Sequence, residues 1–225
     1  MKISVVLPAY NEEARIKKCL DSLRRQTRKP DEIIVVDNNS TDNTAKIIKT
    51  YKEVTLIKEK EQGIIPARNA GFDKAIGDII ARCDADTILP DNFVKDIESD
   101  FKNNPSIVAV SMPVTFYDMP IINRMKFLYY PYMFIPKLLI GHYSLVGPGM
   151  AVRKSAWKKI RKDLCTDHSE VHEDVDVSLH IKKHGEIYHD KNIMVMASGR
   201  RAMNKPWSFF GEYTFRFFKM LRTHH

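Results

Sequence analysis

Asp84-Ala85-Asp86 sets two carboxylates either side of one small residue. They follow an apolar run, Gly77-Asp78-Ile79-Ile80-Ala81-Arg82-Cys83, that reads as a buried strand. In open α/β sheets the carboxyl ends of the strands are where ligands bind. Carboxylates at this spacing can share a hard divalent cation. Mg²⁺ typically takes one or two protein carboxylates and completes its shell with phosphate oxygens and water. The expected chemistry is therefore a metal, Mg²⁺ or Mn²⁺, holding a diphosphate. The plain alternative is a solvated turn, since Asp-x-Asp is common by chance.

Two other strand ends carry suitable groups. The first apolar strand runs into Pro8-Ala9-Tyr10-Asn11-Glu12, where Tyr10 offers a ring on which a base could stack. The second runs into Asp37-Asn38-Asn39-Ser40-Thr41-Asp42-Asn43-Thr44. Asp37 can accept an N–H from a base or a donor from a ribose, while Ser40 to Asn43 also suit a helix cap. Near the end of the chain Ser198-Gly199-Arg200-Arg201 follows a strand. Paired arginines there could grip phosphate oxygens in two-pronged contacts, or they could be solvated loop residues.

These ends must share one edge of a sheet, and the pattern provides it. Strands are expected at 3–7, 33–36, 54–57, 78–83 and 107–112. Between them, helices are expected at 12–25, 41–51, 64–75 and 90–103, the first from Ile16, Cys19, Leu20 and Leu23 at helical spacing. Such alternation predicts an α/β domain with a mostly parallel, doubly wound sheet flanked by helices. Further on, the reading gives a strand at 147–152, helices at 155–162 and 172–184, a strand at 193–197 and a final helix at 207–222. The chain is expected to form one domain over 1–205, with a nucleotide part of about 1–112 and an acceptor part of about 113–205, followed by an amphipathic helix over 206–225.

Charge is unevenly spread. The net value is +8 over 225 residues, yet residues 1–112 balance at 18 basic and 18 acidic, and 113–225 carry 18 against 10. Fifteen of the 22 aromatic residues fall in 116–143 and 207–218. A solvated face explains the charge blandly; anionic lipid or a phosphate-bearing substrate explains it more sharply. Three scattered cysteines read as reduced core thiols of a cytosolic protein. The amino terminus has no signal-peptide pattern, and nothing offers the ~20 uninterrupted apolar residues of a membrane span.

Taken in order, Pro8-Ala9-Tyr10-Asn11-Glu12, Val36-Asp37 through Thr44, Ala67-Arg68-Asn69-Ala70-Gly71, Asp84-Ala85-Asp86 and Glu173-Asp174 resemble the motifs of family 2 glycosyltransferases of the GT-A fold. The resemblance covers about residues 3–185. It implies a single sugar passed from a nucleotide-diphosphate donor, a UDP- or GDP-sugar, to an acceptor hydroxyl or phosphate, with inversion. Pro8, Tyr10, Glu12, Asp37, Arg68 and Asp84 would line the nucleotide, joined by Arg200 and Arg201 at the phosphates. Asp86 and Asp84 would be the metal ligands, with Asp86 favoured as the direct one and Asp84 nearer the ribose.

Asp174 matches the family's catalytic base, and Glu173 is the alternative. The chemistry needs such a group, because an attacking hydroxyl must lose its proton. Acids in a first helical turn also suit the helix dipole, which accounts for them without catalysis. His168, His172 and His189 are candidates for a third ligand. The Gln-x-x-Arg-Trp motif of processive members is missing, which argues for single transfer.

Trp207, Phe210, Phe217, Phe218 and Leu221 fall on one helical face, with Arg216 and Lys219 on the other. This predicts peripheral contact with the inner face of a membrane and a lipid-linked acceptor, against the alternatives of packing on the domain or a homodimer contact. A sugar-phosphate nucleotidyltransferase is the competing reading, weakened because Pro8–Glu12 has no glycine. Nucleic-acid binding is disfavoured by the balanced first half.

Overall fold

A computed structural model describes residues 1–119, 137–167, 171–204, 216–217 and 219–220. The element order is β1 (Ile3–Ala9), α1 (Ile16–Arg24), β2 (Glu32–Asp37), α2 (Thr44–Ile48), β3 (Val54–Lys58), α3 (Ile64–Lys74), β4 (Ile79–Arg82), α4 (Phe93–Asn103) and β5 (Ile107–Ser111). Then come β6 (Val114–Phe116), a 3₁₀ turn at Gly147–Gly149, β7 (Met150–Arg153), α5 (Lys154–Ile160), α6 (Glu173–Lys182), β8 (Glu186–His189), β9 (Val195–Ala197) and α7 (Arg200–Asn204).

Seven strands form one sheet in the order β3-β2-β1-β4-β7-β5-β8, and β6 pairs with β9 in a small parallel sheet. All partners in the large sheet are parallel except β7, which runs against β4 and β5. The mixed α/β domain with a mostly parallel sheet is thus the predicted fold. β7 and β8 come from the second half of the chain and complete the sheet begun by the first.

Side chains of β1 and β2 are apolar on both faces because helices cover both. Ile3, Val5, Leu7, Ile33 and Val35 pack with Ile16, Cys19, Leu20 and Leu23 of α1. Val6, Ile34 and Val36 pack with Ala67 and Phe72 of α3. Alternation along a strand divides these residues between the two layers. α3 lies close against the sheet at Gly71, where a Cβ would stand 2.3 Å from Val6 Cγ1 and 2.9 Å from Val36 Cγ2.

Several boundaries differ from the expected ones. α1 begins at Ile16, leaving Glu12 in the turn after β1, and α2 is only five residues long. The strands β6 and β8 were not expected. Each is three or four residues long and takes its pairing from a distant segment, so local periodicity carries little of it. Of the C-terminal helix, Arg216, Phe217, Lys219 and Met220 are described and helical. Met220 is fully buried in a cluster with Ile65, Val171 and Val175, and Phe217 packs against it. Trp207, Phe210, Phe218, Leu221 and His168 lie outside the described residues, as does residues 120–136 of the aromatic segment. Among the described residues no helix is long and apolar enough to cross a membrane.

Candidate active site

Parallel pairing of β2, β1 and β4 brings their carboxyl ends to one edge. Ala9 pairs with Asp37, and Val6 with Arg82. β7 enters from that edge, since antiparallel pairing sets Arg82 opposite Met150. In the order 3-2-1-4, chain connections from β1 and β4 diverge, which makes their carboxyl ends the topological switch point where α/β sheets bind ligands.

The loops beyond β1 and β2 are tied together. Asn11, with φ of 53°, receives the Thr41 N–H on its Oδ1 at 2.8 Å, and its own N–H reaches Ser40 Oγ at 3.1 Å. Asparagine tolerates this left-handed conformation better than most residues. Asp37, expected at the nucleotide base, is 4% exposed, and its Oδ1 accepts the Ser40 N–H at 3.1 Å. Tyr10 is about half exposed at the same edge. Pro8 lies buried within β1 opposite Val36.

Three carboxylates and one guanidinium gather past β1 and β4. Arg200, at the start of α7, pairs with Glu12 and stands 3.5 Å from Asp86 Oδ2. Burial raises the Glu12 carboxyl above its ordinary value, against the pull of Arg200. Asp86 is pushed up to about 7 by burial and by the nearby charges of Asp84 and Glu12. Such a surplus of buried negative charge invites a cation. Among the described residues no three His, Cys, Asp or Glu side chains form a ready-made metal cage. A cation held by Asp84 and Asp86 would have to complete its shell with phosphate oxygens and water. Arg201 is exposed beside Arg200. His189 lies at the end of β8, stacked on Tyr143 at 4.6 Å with its Nδ1 3.1 Å from Ser111 O. Burial pulls His172 down to about 4, which keeps its imidazole neutral.

A second group lies alongside. Arg82, 2% exposed at the end of β4, reaches three carboxylates. Its Nη2 is 3.1 Å from Asp84 Oδ1, and its Nη1 is 2.5 Å from Glu173 Oε1 and 3.1 Å from Asp174 Oδ1. Arg68 is fully buried, with Nη1 2.6 Å from Glu173 Oε2 and its Nε and Nη2 on Asn69 Oδ1. The basic residue expected at the nucleotide is therefore committed to Glu173. Asp174 Oδ2 accepts the Gly147 N–H at 2.8 Å.

The two acids of α6 diverge as a result. Burial opposes ionisation of Glu173, but the guanidiniums of Arg82 and Arg68 outweigh it and hold Glu173 below the usual carboxylate range. Burial and the neighbouring Glu173 charge push Asp174 well above its ordinary value, with Arg82 only partly offsetting them. Asp176 instead takes the Cys165 N–H at 3.0 Å and braces His180. Sequence reasoning missed Arg82 and Gly147. The signal for Arg82 was present, as a lone charge inside an otherwise apolar strand. A separate cleft of about 270 Å³ lies on the outer side of α3, lined by Glu59, Asn69, Asp73 and Arg161, and contains none of these carboxylates.

Comparisons with known proteins bear on this arrangement. Glycosyltransferase GlyA of Streptococcus pneumoniae is 33% identical over 113 residues, covering 48% of this chain and 16% of that protein. Glycosyltransferase AglE of Haloferax volcanii is 37% identical over 91 residues, covering 37% of this chain and 30% of that protein. The chain thus spans less than a third of the length of these two relatives. Among solved structures, Staphylococcus aureus TarS 1-349 in complex with UDP-GlcNAc superposes with a TM-score of 0.66 at 21% identity, over 88% of this chain and 58% of that one. Mannosyltransferase PcManGT from Pyrobaculum calidifontis, in complex with GDP-Man and Mn²⁺, gives 0.68 at 22%, over 88% and 56%. At these identities the two structures establish the fold. The profile described as "Glycosyl transferase family 2" matches residues 4–161, well over half the chain, and the protein belongs to that family.

Proposed function

We propose that this chain transfers a single sugar from a UDP- or GDP-sugar to an acceptor hydroxyl or phosphate. The observation that carries the reading is the convergence of Asp84, Asp86 and Asp174 on the switch-point edge of a family 2 domain. Asp37 and Tyr10 would hold the base, and Glu12, Arg200 and Arg201 would face the phosphates. Asp86, with Asp84, would hold Mg²⁺ or Mn²⁺, which when bound supplies Lewis-acid stabilisation of the departing diphosphate. Asp174 would take the acceptor proton. Its raised affinity for protons makes it the better base of the pair, while Glu173 is held ionised between two guanidiniums. One base on one face fits a single displacement and hence inversion. The alternative of nucleotidyl transfer has no observation in its favour here.

A lipid-linked acceptor belongs to the same reading, with 1–112 serving the nucleotide and 113–205 the acceptor. It is supported by the basic, aromatic second half of the chain. Phe217 and Met220 pack onto the domain, which favours, for that part of the helix, packing on the domain over membrane contact.

Calorimetry with UDP, GDP and Mn²⁺ tests the donor half. Binding of one nucleotide should strengthen with Mn²⁺ in the parent chain and lose that dependence in Asp86→Ala. Unchanged Mn²⁺-dependent binding in the variant would sink the metal assignment.

A further inference from the structure

Arg82 occupies a position that is costly for a charge. It lies in a central strand, between β1 and β7, and is 2% exposed. A buried guanidinium is tolerated only where its partners are close and well oriented. Here its partners belong to both halves of the reaction. One nitrogen faces Asp84 of the donor side; the other faces Glu173 and Asp174 of the acceptor side. The backbone leaves room for it. A Cβ at Gly147 would stand 2.7 Å from Arg82 Nη2 and 3.1 Å from Asp174 Oδ2. Gly147 thus admits the guanidinium with its missing side chain and fixes the other oxygen of Asp174 with its N–H.

We infer that Arg82 is a positioning residue that joins the donor-side carboxylate Asp84 to the base Asp174, seated by Gly147. The inference rests on the transferase reading, and it adds a residue that acts through Asp84 and Asp174. Arg82 Nη1 fixes one oxygen of Asp174 and the Gly147 N–H fixes the other. Losing the Arg82 prong frees the carboxylate to turn, and a misplacement on the order of 1 Å costs about 10²-fold in rate.

The test uses Arg82→Lys, which keeps the charge but loses the fork, and Gly147→Ala, which keeps Arg82 but fills its seat. Both are made alone and in Asp174→Asn. Nucleotide diphosphate release from UDP-GlcNAc and GDP-mannose with Mn²⁺ is measured beside calorimetric binding of UDP and GDP. Each single variant should bind nucleotide and show KM close to the parent, with kcat down about 10²-fold. Neither should lower turnover further once Asp174 is Asn. Losses that multiply in the double variants, or a parent-like kcat in Arg82→Lys, overturn the inference. If Arg82→Lys does not fold, Gly147→Ala carries the same comparison. A parent that binds nucleotide but turns over neither donor refutes the transferase reading instead. Unfolding free energies of the same proteins then decide the remaining point: non-additive losses keep Arg82 and Asp174 as one unit, and additive losses overturn it.

Discussion

Replacing Asp174 by Asn separates the proposed base from its surroundings with the least change of shape. Its carboxylate faces Arg82 Nη1 at 3.1 Å on Oδ1 and the Gly147 N–H at 2.8 Å on Oδ2. Both are donors. An amide offers only one acceptor, so whichever way it turns, its NH₂ meets one of them. A buried donor left without a partner costs about 1–3 kcal/mol, and each kcal/mol lowers Tm by about 2–4 °C in a chain of this size. That loss is small beside the catalytic one. Removing a positioned general base costs roughly 10²–10⁴-fold, or about 3–5 kcal/mol of barrier.

The variant should therefore stay folded, bind nucleotide as the parent does, and lose turnover. The pH profile gives a second reading. Asp174 is held above its ordinary value by burial and by Glu173, and a base acts only when deprotonated. Parent kcat should rise with pH through an inflection above the usual carboxylate range, and the residual rate of Asp174→Asn should lack it. Nucleotide release from UDP-GlcNAc or GDP-mannose, followed across pH, measures both. Turnover within a few-fold of the parent would refute the assignment and transfer the role to Glu173. A loss of nucleotide affinity in step with turnover would show that Asp174 holds the donor.

Other outcomes follow from the packing and the charges. Gly71→Ala places a methyl against Val6 and Val36 in the core, so overpacking of about 1–3 kcal/mol should exceed the gain in helix propensity of about 0.5–1 kcal/mol; a rise in urea midpoint would contradict the close approach. Burial and the charges of Asp190 and Asp96 push Asp100 up to about 7. The proton it holds stabilises the fold fully below the unfolded value, about 4, and that stability is lost as pH rises through the folded one. Asp100→Asn should accordingly raise Tm at about pH 8.5 and leave it unchanged at about pH 4, and equal shifts at both would refute this. Sedimentation with anionic liposomes should fall with salt and on removal of residues 206–225; a folded truncation that sediments as before would show that this segment is not the anchor.

Much of the layout was legible in the sequence because it is local. The β1, β2 and β4 runs are mostly apolar, since helices cover both faces, and α1 shows Ile16, Cys19, Leu20 and Leu23 at helical spacing. Parallel pairing then follows from alternation, and with it the shared edge of Tyr10, Asp37 and Asp84. β6 and β8 were not legible. They are short, and their hydrogen bonds come from β9 and β5, far along the chain.

The identities of the acids, too, were written in the sequence; their inequality was not. Glu173 and Asp174 are adjacent acids at a helix start, and nothing in that stretch distinguishes a base from a counter-ion. Burial, and the arrival of Arg68 from α3 and Arg82 from β4, draw the two apart, Glu173 downward and Asp174 upward. Those arginines lie 105 and 91 residues from Glu173. Charges act over a few ångströms in space, and only the folding of the sheet sets that distance.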